Sequence, residues 1–413
     1  MIRRGDANIL LAVLLGFLLM GGLIWVNYGF ARQNPGGNDF LARWMGARMW
    51  LMEGISPYDP QVSLATQEII YGRPADPAKG EDEGHFVYPL YSMLFFGPFG
   101  LLEYLPARTL WMSILEICLI LLVFLGIRLV QWRPPIWLLG VVTLFSVMWY
   151  HGARTIVIGQ FAGLNALLIL LALLSIRRQQ DAAAGILLAL TTTKPQMVFL
   201  FVPFVLLWAW SVQRKRILWG FLGGFFGLMI VSLLLLPRWP FEMLAQILDY
   251  PTYTNLGSPL SILAAYVPGL RQTLDRGLHA FFLLYLSVEW VQAWGKGERW
   301  FTWTALMTLV ITNLVAFRTA TTNFVALLPV LLLVFGIWED RWKITGRTMV
   351  ILLLLALGFG LWGLFLATVD GNIESAEMYL PIPLLCLVSL GWVRWWAIRP
   401  RRLLLEELAV YLE

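Results

Sequence analysis

The chain is poor in charge. Asp, Glu, Lys and Arg together make only 13% of its 413 residues, against 59% hydrophobic, where soluble domains carry about 25% charged and about 45–50% apolar residues. That excludes an ordinary soluble core and makes a bilayer the expected solvent. Cysteine is scarce too: Cys118 and Cys386 both sit inside apolar runs with no CxxC neighbour, which excludes a disulfide framework. Histidine is limited to His85, His151 and His279, too scattered for a histidine-based metal site. There is no HExxH, no P-loop and no GxSxG, so the common hydrolase and nucleotide signatures are missing.

What is present fits membrane helices: 21 Trp and 36 Gly, residues favoured at membrane interfaces and in close helix packing. The formal charge of +5 does not point to nucleic acid. Its cations fall between apolar runs, at Arg3-Arg4, Arg177-Arg178, Arg214-Lys215-Arg216, Arg341-Trp342-Lys343 and Arg394 to Arg402, as expected of cytoplasmic loop ends. The first apolar run, Asn8 to Val26, exceeds the about 7–15 residues of a signal-peptide core and is followed by Asn27-Tyr28-Gly29-Phe30. It reads as an uncleaved first span with its N-terminus inside.

Further apolar runs lie near 87–104, 107–128, 134–150, 160–176, 182–194, 196–212, 217–236, 276–294, 300–316, 323–338, 347–368 and 379–396. Two hydrophilic stretches, 29–86 and 237–258, interrupt them and are expected outside. Between the first loop and the inside mark Arg177 there are four runs, one too many for the positive-inside rule. The run 134–150 is expected to be the partial or re-entrant one. About 12 spans result, in a single all-α domain with both termini cytoplasmic and no fixed-period repeat.

The 29–86 loop is the most informative segment. Phe40, Trp44, Ala47 and Leu51 recur at helical spacing, predicting an amphipathic helix on the membrane surface. Gly54 should stop it and Pro57 to Pro60 should turn. Asp39 stands at the helix start, where a carboxylate serves either as N-cap or as general base at the membrane surface. Gly159-Gln160 with Asn165 opens an apolar run downstream of His151 and Arg154; such amides either bond neighbouring helices or meet a substrate. Lys194, before Pro195, falls about 24 Å along a helix from Gln179, near the outer boundary. It either snorkels or receives an anion such as a lipid phosphate. Arg318 falls at another outer turn, against the inside bias of basic residues.

Taken in order, the first span with Asn38-Asp39-Phe40, the helix to Gly54, Pro57-Tyr58-Asp59, Tyr88-Pro89, Pro98, Leu105-Pro106, Trp111, Gly159-Gln160, Asn165, and Gly185 leading to Lys194-Pro195 resemble the polyprenyl-phosphate-mannose-dependent α-(1,2)-mannosyltransferase-like family of the GT-C superfamily. The resemblance covers the N-terminal half. It implies a multi-pass, inverting hexosyltransferase with its site on the periplasmic or extracellular face and a polyprenyl-phosphate sugar, mannose foremost, as donor. A glycan or glycolipid would be the acceptor, with no cofactor and no metal. Asp39 matches the family's loop aspartate and would deprotonate the acceptor. Lys194, with Arg154, Arg318 and His151 placed there by position, would meet the donor phosphate. Arg43, Tyr58, Tyr88, Gln160 and Asn165 would line the substrate pocket. Leu90 replaces the family's second Pro, and Arg318-Thr319-Ala320-Thr321 replaces its later Ser-Pro pattern. The rival reading is a multi-pass transporter or lipid flippase, which would show internal repeats and midplane charges.

Overall fold

The computed structural model describes residues 4–34, 36–249, 257–317, 319–371 and 374–399. They are almost wholly helical. In chain order the helices are α1 (Arg4–Gln33), α2 (Asn38–Glu53), α3 (Pro60–Tyr71), α4 (Met93–Gly100), α5 (Tyr104–Val130), α6 (Ile136–Met148), α7 (Tyr150–Ile158), α8 (Ala162–Arg177) and α9 (Asp181–Thr191). There follow α10 (Phe201–Ser211), α11 (Lys215–Leu235), α12 (Trp239–Asp249), α13 (Pro259–Ala265), α14 (Arg271–Ala293), α15 (Glu298–Val315), α16 (Leu328–Thr368) and α17 (Pro381–Ile398). Among the described residues, the stretches 104–130, 215–235, 321–368 and 376–398 are long and apolar enough to cross a membrane. The bent pair 136–148 and 150–158 makes a fifth if it is taken as one span.

Side-chain contacts sort the helix ends into two groups. At one end basic residues close the loops. Arg214 binds Asp181 and donates to the Ile176 carbonyl at 2.6 Å, Arg177 donates to the Leu129 carbonyl, and Trp208 donates to Lys296 O at 3.0 Å. Glu339 accepts from Trp132 at 2.7 Å and from Arg347 Nε at 2.8 Å. Between these last two residues Lys343 has φ 49° and breaks α16 into two runs. At the opposite end the last residues of α1 are held by Arg108 of α5, which donates to Asn34 O at 2.7 Å. Here too lie α2, α7, the turn after α9, and the loop before α17.

The run 134–150, expected to stop short, forms α6 and the start of α7, bent by 49°. It leads from the basic end to Met148, whose carbonyl accepts from Trp362 at 2.9 Å in the far half of α16. That bend suits either a broken span or the re-entrant segment expected there, and the run 87–104 also turns back. Tyr88 lies under Arg43 of α2, and the Leu102 carbonyl accepts from Trp44 and Arg48 of the same helix, both at 3.1 Å. With both its ends on α2, the segment folds back. Hydropathy gave no sign of this fold-back, because its cause lies in side chains that grip a distant carbonyl.

The first-loop helix forms where its spacing places it. Gly54 ends it with φ 71°, its N–H donating to the Trp50 carbonyl at 3.2 Å and the Ile55 N–H to the Met49 carbonyl at 3.3 Å, and Asp59 caps the next helix by accepting from Gln61 N at 2.9 Å ahead of Pro60. Its amphipathic character does not appear. Every residue from Phe40 to Ala47 is buried, because α3, α4 and Phe86 close around it, while Leu51, of the stripe expected to face the membrane, is 45% exposed. The helix is a core element of this end of the bundle.

Close approach sets two further positions. A Cβ on Gly185 in α9 would collide with the Ile217 carbonyl oxygen of α11, so α9, which leads to Lys194, packs backbone to backbone. Gly159 sits at φ 72°, and a Cβ there would lie 2.5 Å from Phe40 Cβ and 3.3 Å from the Trp111 ring. Gly159→Ala is therefore expected to destabilise by about 2–3 kcal/mol, combining left-handed strain with overpacking. A thermal midpoint measured in detergent that is unchanged from wild type would contradict this.

Candidate active site

Asp39 is the second residue of α2, and it does not cap. The N-cap is Gly37, with no side-chain hydrogen bond to the helix amides. The carboxylate instead lies 3.6 Å from Arg43 Nη1, one turn on, with the Asp39 side chain 29% exposed. That separation is loose for an ion pair and leaves carboxylate lone pairs available.

From Arg43 a chain of contacts crosses to the far side of the site. The guanidinium lies over the Tyr88 ring, 4.8 Å from its centroid, within the range of a cation–π contact. Tyr88 OH donates to Gln160 Oε1 at 3.2 Å, and Lys194 Nζ donates to the same oxygen at 2.6 Å. Behind Tyr88, Tyr58 OH donates to the Tyr88 carbonyl at 2.5 Å. Burial raises both phenols well above their ordinary range, so they stay protonated donors.

Lys194 is buried, and Gln160 is its only hydrogen-bond partner among the described residues. A buried ammonium holding one neutral acceptor has donors to spare for an anion. It lies close enough to Asp39 and Arg43 for both charges to act on it. Asn165 is fully buried, its amide nitrogen 3.6 Å from Met197 Sδ and its oxygen without a partner among the described residues.

The second cationic group comes from α7. Arg154, its side chain 25% exposed, feels the charge of Asp39 and pairs with Glu374. His151 lies behind it, fully buried among the rings of Trp149, Tyr150 and Phe324, both ring nitrogens without a hydrogen-bond partner among the described residues. The structure thus brings Asp39, Arg43, Tyr58, Tyr88, Gln160, Lys194 and Arg154 to one end, with Asn165 alongside Met197. It encloses His151 away from any open surface. Arg318 lies outside the described residues.

Rings fix the frame. Phe40 stacks on Tyr104 at 6.2 Å and on Trp111 at 5.5 Å, and Trp111 stacks on Phe161 at 6.3 Å. Trp111 Nε1 also donates to Gly159 O at 2.8 Å. Asp39 precedes Phe40 and Gln160 precedes Phe161, so this column couples the carboxylate's helix to the segment that receives Lys194.

Sequence reasoning passed over two acids. Asp82 lies near enough to Asp39 and Arg43 to interact electrostatically, and burial, reinforced by Asp39, pushes its carboxyl above the ordinary carboxylate range. Its one advance sign was membership of the acidic 29–86 loop. Glu374 lay in a short turn with no motif around it. Beside the site, a cleft of about 400 Å³ runs between α3 and α12, lined by Tyr58, Ser63, Gln67, His85, Glu242 and Gln246 among others. It adjoins Tyr58 without reaching Asp39.

Residues 86–251 match the model of glycosyltransferase family 87, and this match supports a glycosyltransferase acting with a sugar donor and a glycan acceptor. The matched stretch contains Tyr88, His151, Arg154, Gln160, Asn165 and Lys194, while Asp39, Arg43, Tyr58 and Glu374 lie outside it. No curated protein and no solved structure matches the chain.

Proposed function

We propose that the protein transfers a hexose, mannose foremost, from a polyprenyl-phosphate sugar to a glycan or glycolipid acceptor on the non-cytoplasmic face of the cell membrane. The observation that carries this reading is the chain of contacts that joins one carboxylate, Asp39, through Arg43, Tyr88 and Gln160 to the buried cation Lys194, with Arg154 at the same end of the bundle. The basic loop ends gathered at the opposite end fit a cytoplasmic side. With 87–104 folding back and α6 traversing, twelve passes put both termini there and leave a single helical domain.

The reaction is an inverting single displacement. Asp39 takes the proton of the acceptor hydroxyl as its oxygen bonds to the anomeric carbon, and the bond from that carbon to the phosphate oxygen breaks. The electron pair leaves on polyprenyl phosphate, where Lys194 and Arg154 offset the new charge. Arg43 orients Asp39 and, through the Tyr88 ring, ties it to the Gln160–Lys194 pair. Tyr58 fixes the Tyr88 backbone. Asn165, with an unpaired buried oxygen, is placed to accept from a sugar hydroxyl. No step calls for a metal or other cofactor.

Membranes containing the protein, supplied with radiolabelled polyprenyl-phosphate mannose, should move label into a glycolipid or glycan fraction. Membranes lacking it should not. Label that remains on the polyprenyl carrier, across a panel of polyprenyl-phosphate hexoses, would overturn the reading.

A further inference from the structure

We propose that Glu374 is a positioning residue that holds Arg154 at the site, so that the loop between α16 and α17 completes its cationic side. The inference rests on the donor-phosphate role given to Arg154 above. Glu374 is buried, with its side chain 6% exposed. Its Oε1 accepts from Tyr150 OH at 2.8 Å and from Thr321 Oγ1 at 2.7 Å. Oε2 lies 2.9 Å from Thr321 Oγ1 and 3.5 Å from Arg154 Nη2. Arg154 Nη1 in turn donates to Tyr150 OH at 3.0 Å. Three segments far apart in sequence therefore converge on one carboxylate, and its lone pairs are taken by hydroxyls and a guanidinium.

This arrangement is more than a tie between helices. An arginine side chain carries substantial rotamer entropy, and an unrestrained one would have to find the phosphate at each turnover. Here Tyr150 and Glu374 engage one edge of the fork, leaving the other donors of a partly exposed guanidinium for a ligand. The charge of Asp39 still acts on Arg154 held in this way. A preorganised cation acts on charge as it develops without paying reorganisation at that moment. Glu374 itself has no described contact with Asp39, Arg43 or Lys194, so its effect on the reaction runs through Arg154.

The test is a double-mutant cycle in the polyprenyl-phosphate mannose assay, with full-length protein in membranes. Glu374→Gln keeps the shape and the acceptor for Tyr150 but removes the charge that restrains Arg154. It is expected to lower kcat about 10- to 100-fold while changing the donor KM less than about threefold. In an Arg154→Ala background the same substitution should cost nothing further. Tyr150→Phe, which keeps the carboxylate and removes the bridging hydroxyl, should lower kcat less, and again only when Arg154 is present; it serves as the readout where Glu374→Gln yields no folded protein. Losses that multiply with that of Arg154→Ala, or full activity in both variants, would overturn the proposal. Wild-type transfer by Arg154→Ala would instead remove Arg154 from the donor site, a failure of the underlying reading that is visible separately.

Discussion

Asp39→Asn is expected to lower sugar transfer by about a thousandfold or more, near the upper part of what a positioned general base contributes, while leaving the fold intact. The structure makes the second half of that statement as firm as the first. Because Gly37 occupies the N-cap with no side-chain bond, no helix cap is lost with the carboxylate. What disappears is a 3.6 Å pairing with Arg43, partly exposed, and such pairs contribute under about 1 kcal/mol. Label transfer measured beside a detergent thermal midpoint separates the two effects. Ordinary transfer by Asp39→Asn would take Asp39 out of the mechanism. A collapse of the thermal midpoint would show instead that the carboxylate had a structural duty.

Lys194→Met should move activity and stability in opposite directions. Methionine keeps the length and apolar stem but removes a buried charge whose one hydrogen-bond partner among the described residues is Gln160. A buried ammonium with so little compensation costs free energy to hold, so the variant is expected to be at least as stable as wild type. Tyr88 OH still donates to Gln160 at 3.2 Å, so that oxygen is not orphaned. Transfer, by contrast, should fall about 100-fold or more, the typical loss when one preorganised donor to a developing charge is removed. The loss should appear in kcat/KM for the donor. If only the acceptor KM rose, the phosphate assignment of Lys194 would be wrong.

How far the sequence reached depended on how local each cause was. Gly54 as a helix stop and the turn from Pro57 to Pro60 were legible, because a left-handed residue and a proline turn act on their own neighbours. The direction of the helix leading to Lys194 was legible from length and the basic residues before it. What failed did so at long range. The helix 38–53 looked amphipathic because the sequence could not show that α3, α4 and Phe86 would enclose its second face. The folding back of 87–104 depends on Trp44 and Arg48 reaching the Leu102 carbonyl, more than fifty positions away. Glu374 was invisible for the same reason: its partners Tyr150 and Thr321 are brought to it by packing, and the C-terminal half carried no motif to draw attention there.

The stacked rings of Tyr104, Phe40, Trp111 and Phe161 have a consequence for selectivity. Packed rings resist displacement along the column, so the spacing between the helix of Asp39 and the segment of Gln160 is set by them rather than by flexible side chains. On the proposed reading, a site framed this way would widen little for bulkier sugars.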